Sequence, residues 1–159
     1  DEILAEVTRY STPHVCVTGG EPLVQAGCHL LLNSLCDAGY NVSLETSGSI
    51  DVSEIDERVS RVMDIKTPGS GEFDRNRWEN LACLTEHDSL KLVICNRADY
   101  DWASAALRDR LRVPCTVFFS PSYGELEAKS LADWILEDRL AVRLQIQLHK
   151  VLWGDVPGR

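Results

Sequence analysis

A chain of 159 residues, 44% hydrophobic, is long enough to bury one core, and it reads as a single domain over 1–159. Its formal charge of -9, with lysines and arginines scattered, disfavours a nucleic-acid partner on electrostatic grounds. No apolar stretch is long enough to span a bilayer and no signal peptide is visible, so a cytoplasmic protein without a membrane partner is expected.

Residues 1–10 read as a helix punctuated by Thr12-Pro13, and residues 14–18 as a strand. The strand runs into Val17-Thr18-Gly19-Gly20-Glu21-Pro22. Paired glycines there let backbone approach a ligand closely, because no Cβ stands in the way. Their peptide carbonyls and the Glu21 carboxylate are acceptors suited to a ligand ammonium, and Pro22 suits the first turn of a helix. The plain alternative is a strand-to-helix turn with no ligand. Residues 23–38 put Leu23, Leu31 and Leu35 on one helical face, with Gly39 as the stop.

Residues 41–45 and 61–65 read as strands. Between them, Asp51 with Glu54 three residues on predicts a short capped helix. A helix is expected over 77–84 and a strand over 90–95. The helix over 100–112 is expected to turn Trp102, Ala105 and Ala106 inward. A strand at 115–119 precedes a helix at 126–138 with Leu131, Trp134 and Ile135 inward. Residues 142–148 alternate, with Val142, Leu144, Ile146 and Leu148 on one face against Arg143, Gln145 and Gln147, which predicts a strand with one polar face. Alternating β and α units predict an α/β fold with a parallel sheet and right-handed crossovers. Polar residues recur at the carboxyl ends of the strands, the rim where such sheets bind ligands.

The six cysteines lie mostly in apolar runs, which predicts free buried thiols rather than disulfides. The absence of a CxxC or a paired-His spacing argues against zinc.

The Gly-Gly-Glu-Pro turn resembles the one by which radical S-adenosylmethionine (SAM) enzymes hold the amino group of SAM. The series Asp37-Ala38-Gly39-Tyr40, Leu44 to Gly48, Arg58 to Ser70, Ala98-Asp99-Tyr100 and Leu148 to Gly154 resembles the 7-carboxy-7-deazaguanine synthase family of those enzymes, over residues 15–159. The resemblance implies a partial, open (β/α) barrel with a mostly parallel sheet and its first strand missing. It implies SAM, a [4Fe–4S] cluster and Mg²⁺ as cofactors, and 6-carboxy-5,6,7,8-tetrahydropterin as substrate. An electron donor such as flavodoxin and a homodimer are implied as well. The implied chemistry is radical: SAM is cleaved reductively, a hydrogen atom leaves C6 of the substrate, the ring contracts and ammonia departs.

Residue by residue, the resemblance assigns Gly19, Gly20 and Glu21 to SAM. Ser47 is a candidate for its ribose or carboxylate, with a plain turn residue as the equal alternative. Asp64 and Lys66 face SAM by the same resemblance, or form a structural ion pair. Ser120 is the candidate contact to the adenosine, and a Ser-Pro turn is its plain reading. Thr18, Glu45 and His149 line up with the family's substrate contacts. Glu45 suits the amino-pyrimidinone edge of a pterin, which offers two parallel hydrogen bonds to a carboxylate. His14, His29 and His87 read as structural or surface residues. No residue is assigned a catalytic role.

One departure stands out. Radical SAM enzymes carry three closely spaced cysteines that ligate the cluster. Cys16, Cys28, Cys36, Cys83, Cys95 and Cys115 have no such spacing. The expectation is that the sequence lacks the N-terminal strand and cluster loop. Two alternatives stay open: another radical SAM enzyme, such as a glycyl-radical activase, and a cluster-free binding protein on the same barrel.

Overall fold

In the computed structural model, which describes residues 2–154 and residue 156, six strands form one sheet in the order β1 (His14–Val17), β2 (Asn41–Thr46), β3 (Ser60–Ile65), β4 (Ser89–Ile94), β5 (Thr116–Pro121) and β6 (Arg143–Leu144). Every adjacent pair is parallel, and spatial order equals chain order. β1 and β6 are the two edges, so the sheet is an open α/β sheet rather than a closed barrel. Five helices accompany it among the described residues: α1 (Glu2–Thr8), α2 (Cys28–Asp37), α3 (Arg97–Asp109), α4 (Ala128–Glu137) and α5 (Leu148–Trp153).

The two faces of the sheet differ sharply. One face carries Val42, Leu44, Met63, Ile65, Leu90, Leu92, Ile94, Val117 and Phe119, all buried. Leu32 and Leu35 of α2 pack against its β2 side, and Tyr100, Ala103 and Leu131 of α3 and α4 against its β4–β5 side. Burying a large aliphatic or aromatic side chain yields about 1.5–3 kcal/mol, so this face holds the fold together. The other face carries Ser43, Glu45, Val62, Asp64, Lys91, Val93 and Phe118, all half-buried or exposed. A parallel sheet is ordinarily covered on both sides. Here one side is polar and open, which is the arrangement of a half-barrel around a ligand.

Several local expectations change. Residues 23–38 do not form one helix: a short 3-10 turn, Pro22–Val24, is followed by extended backbone at Gln25, and α2 starts afresh at Cys28. The Glu21 side chain caps the start of the 3-10 turn by accepting from Leu23 N, and the extended backbone at Gln25 ends it. Leu32 rather than Leu31 is then fully buried. The Asp51 carboxylate accepts from Ser53 N at 2.9 Å and makes a tight turn instead of a helix. Trp78–Cys83 is a 3-10 helix.

α3 begins earlier than expected because Asn96 caps it. Tyr100, Ala103 and Ala106 take the inner face, and Ala105 faces solvent. The last expected strand is cut short. β6 has two residues, and only the bond from Gln145 N to Phe119 O continues its pairing. Of the alternating residues beyond it, Gln145, Ile146 and Leu148 are exposed and Gln147 is half-buried, and α5 begins at Leu148. All six cysteines are free, but only Cys28 is buried; Cys16 is exposed and the others lie between.

Candidate functional site

The site grows from the turn after β1. Gly19 (φ 104°) and Gly20 (φ 58°) both take left-handed backbone, which L side chains adopt only with strain. No atom lies within 4 Å of where either Cβ would be, so it is conformation that selects glycine here, and the ground beside the turn is open. Glu21 then folds back under the sheet's rim. Its carboxylate accepts from Thr46 Oγ1 at 3.0 and 2.9 Å, from Ser47 N at 2.8 Å, from the Ser47 hydroxyl, and from Leu23 N at 3.2 Å. Those contacts use the acceptor capacity of a carboxylate. Glu21 therefore clamps the glycine turn to the end of β2, and Ser47 is held in that clamp along with Ser49.

Glu45 stands on the opposite side of the same strand end. It is exposed, and its contact is one long hydrogen bond from Thr18 Oγ1 at 3.5 Å. Asp64, at the end of β3, accepts from Lys66 Nζ at 3.0 Å through Oδ2. Its other oxygen, Oδ1, is buried without a partner, which is costly unless a ligand meets it. Asn76 fixes the Lys66 backbone from both sides: its Oδ1 accepts from Lys66 N at 2.9 Å and its Nδ2 donates to Lys66 O at 2.8 Å.

Three hollows adjoin along this rim. Thr18, Gly19, Gly20, Glu45, Thr46, Ser47, Val62, Asp64, Lys66 and Lys91 line one of about 150 Å³. A second of about 410 Å³ shares Gly20, Ser47 and Lys66 with it, and a third of about 290 Å³ shares Asp64 and Lys66. Lys66 borders all three, so they form one trough over the strand ends. A hollow of about 570 Å³ between α1 and α2 is larger but is lined mostly by aliphatic residues with Glu2 and Ser34 at its border. Size alone does not mark the site; convergent polar groups do.

The structure thus brings together Thr18, Gly19, Gly20, Glu45, Ser47, Asp64 and Lys66, with Glu21 beneath them. Ser120 is buried and lines none of the three hollows, whereas Ser122 lines the third. His149 lies in the first turn of α5, exposed, and lines none of them either. The alternating pattern puts it at the end of a strand; the early end of β6 moves it onto a helix.

Sequence reasoning missed two supports. Asn76 is one. Asp99 is the other: it is buried, and its carboxylate accepts from Gly69 N at 2.8 Å and Cys95 N at 3.2 Å. It thereby ties the loop after β3 to the end of β4. The signal was present, since Asn96-x-x-Asp99 after a strand has the form of a capping pair, and Asn96 does accept from Asp99 N at 3.0 Å. At the edge of the third hollow, burial and a hydrogen bond with Glu125 push the Cys95 thiol up to about 11. Hydrogen bonds from Ser122 and Cys95 hold Glu125 below the usual carboxylate range.

The residues fit the SAM group: an open left-handed glycine turn offers carbonyls to an ammonium, and the orphaned Asp64 oxygen offers an acceptor beside it. They offer no set of thiolate ligands for a cluster. Among the described residues, no three His, Cys, Asp or Glu side chains are grouped to hold a metal ion. Nor is any helix among them long and apolar enough to cross a membrane.

No protein-family model matches the chain. Over 158 residues it is 42% identical to the 7-carboxy-7-deazaguanine synthase of Chlorobaculum tepidum, covering 97% of this chain and 72% of that one. It is 37% identical to the synthase of the same name from Koribacter versatilis (96% and 75% covered) and 35% identical to that of Thermoplasma acidophilum (99% and 75%). Among solved structures it is similar to Streptococcus suis SuiB bound to S-adenosylmethionine, with a TM-score of 0.56 and 13% identity, over 91% of this chain and 40% of that one. That likeness is one of fold.

Proposed function

The chain belongs to the 7-carboxy-7-deazaguanine synthase family, and from that premise we propose how its open sheet face serves a radical SAM lyase. The reaction is the ring contraction of 6-carboxy-5,6,7,8-tetrahydropterin to 7-carboxy-7-deazaguanine with loss of ammonia. The observation that carries the reading is the trough itself, where a left-handed glycine turn, a nearly free carboxylate at Glu45 and an orphaned carboxylate oxygen at Asp64 share one cavity.

The one-electron chemistry would belong to SAM and a [4Fe–4S] cluster, for which the described residues offer no ligand set. The chain's own residues bind and orient. The carbonyls of the Gly19–Gly20 turn and Asp64 Oδ1 accept from the SAM ammonium. Glu21 holds the turn in place from below, and Ser47 keeps the rim closed around it. Glu45 accepts the amino-pyrimidinone edge of the pterin through two oxygens, with Thr18 setting its orientation. Lys66 neutralises Asp64 through its other oxygen, Oδ2. Holding two reactants in register is worth several kcal/mol of barrier, and a trough over a polar sheet face does this without any residue of the chain touching the electron. The third hollow, with Gly69, Cys95 and Ser122, receives the adenosine, so Ser122 takes the part that the resemblance gives to Ser120.

The test is turnover. A polypeptide that carries this chain together with three cluster-ligating cysteines, given SAM, a low-potential reductant and the tetrahydropterin, should release ammonia and 7-carboxy-7-deazaguanine in equal amounts. Reductive cleavage of SAM with no change in the pterin would move the assignment to another radical SAM substrate. A partner carrying a glycyl radical would then identify the activase reading.

A further inference from the structure

Pairing off the charges of the substrate cavity leaves two groups unmatched. Asp64 and Lys66 neutralise one another at 3.0 Å. Among the described residues Glu45 has no ion pair and accepts one long hydrogen bond, from the Thr18 hydroxyl. The remaining group is Lys91. It lines the same cavity from β4, half-buried, and among the described residues its side chain has neither a hydrogen bond nor an ion pair. Lys91 therefore brings an ammonium with three donors to the cavity without an acceptor bonded to it.

Register fixes where these groups stand. Glu45 lies opposite Val62, and Lys91 lies opposite Asp64, two residues further along the same strand. Glu45 and Lys91 are therefore two strands and two residues apart, roughly 12 Å between Cα atoms at ordinary sheet spacings. Val62, apolar and half-buried, lies between them on the cavity floor. The floor thus presents an acceptor carboxylate, an apolar patch and an ammonium in sequence. A flat guest with a donor edge at one end, a ring face, and an anion at the other end is its complement.

We propose that Lys91 binds the carboxylate of the pterin substrate and makes the cavity select carboxylated over uncarboxylated pterins. This rests on the reaction assigned above. SAM carries a carboxylate as well, and its ammonium is assigned to the glycine turn and to Asp64, the register partner of Lys91, so SAM titrated alone is the control that separates the two carboxylates. Lys91 is a binding residue and takes no part in the bond changes.

The experiment is fluorescence titration of SAM-saturated protein with two oxidised analogues, 6-carboxypterin and pterin. The wild-type chain is compared with Lys91→Met and Lys91→Arg. Wild type should prefer 6-carboxypterin. Lys91→Met should lose about 10- to 100-fold for 6-carboxypterin, the worth of a hydrogen bond to a charged group, and nothing for pterin. Lys91→Arg should keep most of the preference. Unchanged affinity of Lys91→Met for 6-carboxypterin overturns the proposal. So does an equal loss for both analogues, which would make Lys91 structural, or a loss confined to SAM titrated alone. Wild type that binds neither analogue overturns the reaction assignment itself, and that result is distinct from the other three.

Discussion

Glu21 and Glu45 carry the same side chain to the same rim and do opposite things. Glu21 has its acceptors filled by Leu23, Thr46 and Ser47, whereas Glu45 has one long contact. Replacing Glu21 by Gln turns an acceptor into a donor against the Ser47 N–H, and urea denaturation should show a loss of about 1–3 kcal/mol. Glu45→Gln should leave stability within about 0.5 kcal/mol, as for exposed substitutions. It should weaken pterin binding by about tenfold or more while the SAM titration is unchanged. A Glu45→Gln variant that binds pterin normally would remove Glu45 from the site. The glycine turn and Glu45 were legible because their chemistry is local to a strand end. The true work of Glu21 was not, because its partners lie 25 and 26 residues further along the chain. Cys95 adds a pH signature: with its thiol near 11, alkylation followed by mass spectrometry should stay slow at neutral pH and climb only in strongly alkaline buffer.

Among the elements, the strands were the legible part, since short apolar runs ending in polar residues survive any detail of packing. β2, β3 and β4 fall within a residue or so of expectation. The failures have physical causes. Extended backbone at Gln25 breaks a run of leucines that looks helical throughout, and the pairing of β6 ends after Gln145, so an alternating pattern has no partner to face. Asp99 shows what pattern reading passes over, a buried carboxylate that joins two strand-end loops. Asp99→Ala leaves the backbone N–H groups of Gly69 and Cys95 unserved. A loss of about 2–3 kcal/mol is expected, which for a chain of this size is about 4–12 °C in the midpoint of a thermal melt. A melt within about 1 °C of wild type would show that the loop does not depend on it.

At the scale of the molecule, the hydrophobic core and the proposed site occupy opposite faces of one sheet. The fold also holds a buried ion pair, Arg61 with Asp88 at 2.8 Å, at the amino ends of β3 and β4 and away from the trough. Burial alone would raise the Asp88 pKa. Hydrogen bonds from the Arg61 guanidinium and from the backbone of Thr85 and Arg61 outweigh it and hold the carboxyl below its usual range. A lowered folded value means that the pair's stabilisation is fully present above the ordinary carboxylate pKa and is lost as pH falls through the folded value. Asp88→Asn should therefore cost about 3–5 kcal/mol at neutral pH, and its denaturation curve should converge on wild type only in strong acid.

The central claim is that the uncovered polar face is the reaction chamber, and a crystal structure with SAM and 6-carboxypterin tests it most directly. The pyrimidinone edge should lie on Glu45, the ring over Val62, and the SAM ammonium at the Gly19–Gly20 turn. Both ligands lodged elsewhere, for instance in the aliphatic hollow between α1 and α2, with the face of Glu45 and Asp64 left bare, would contradict it.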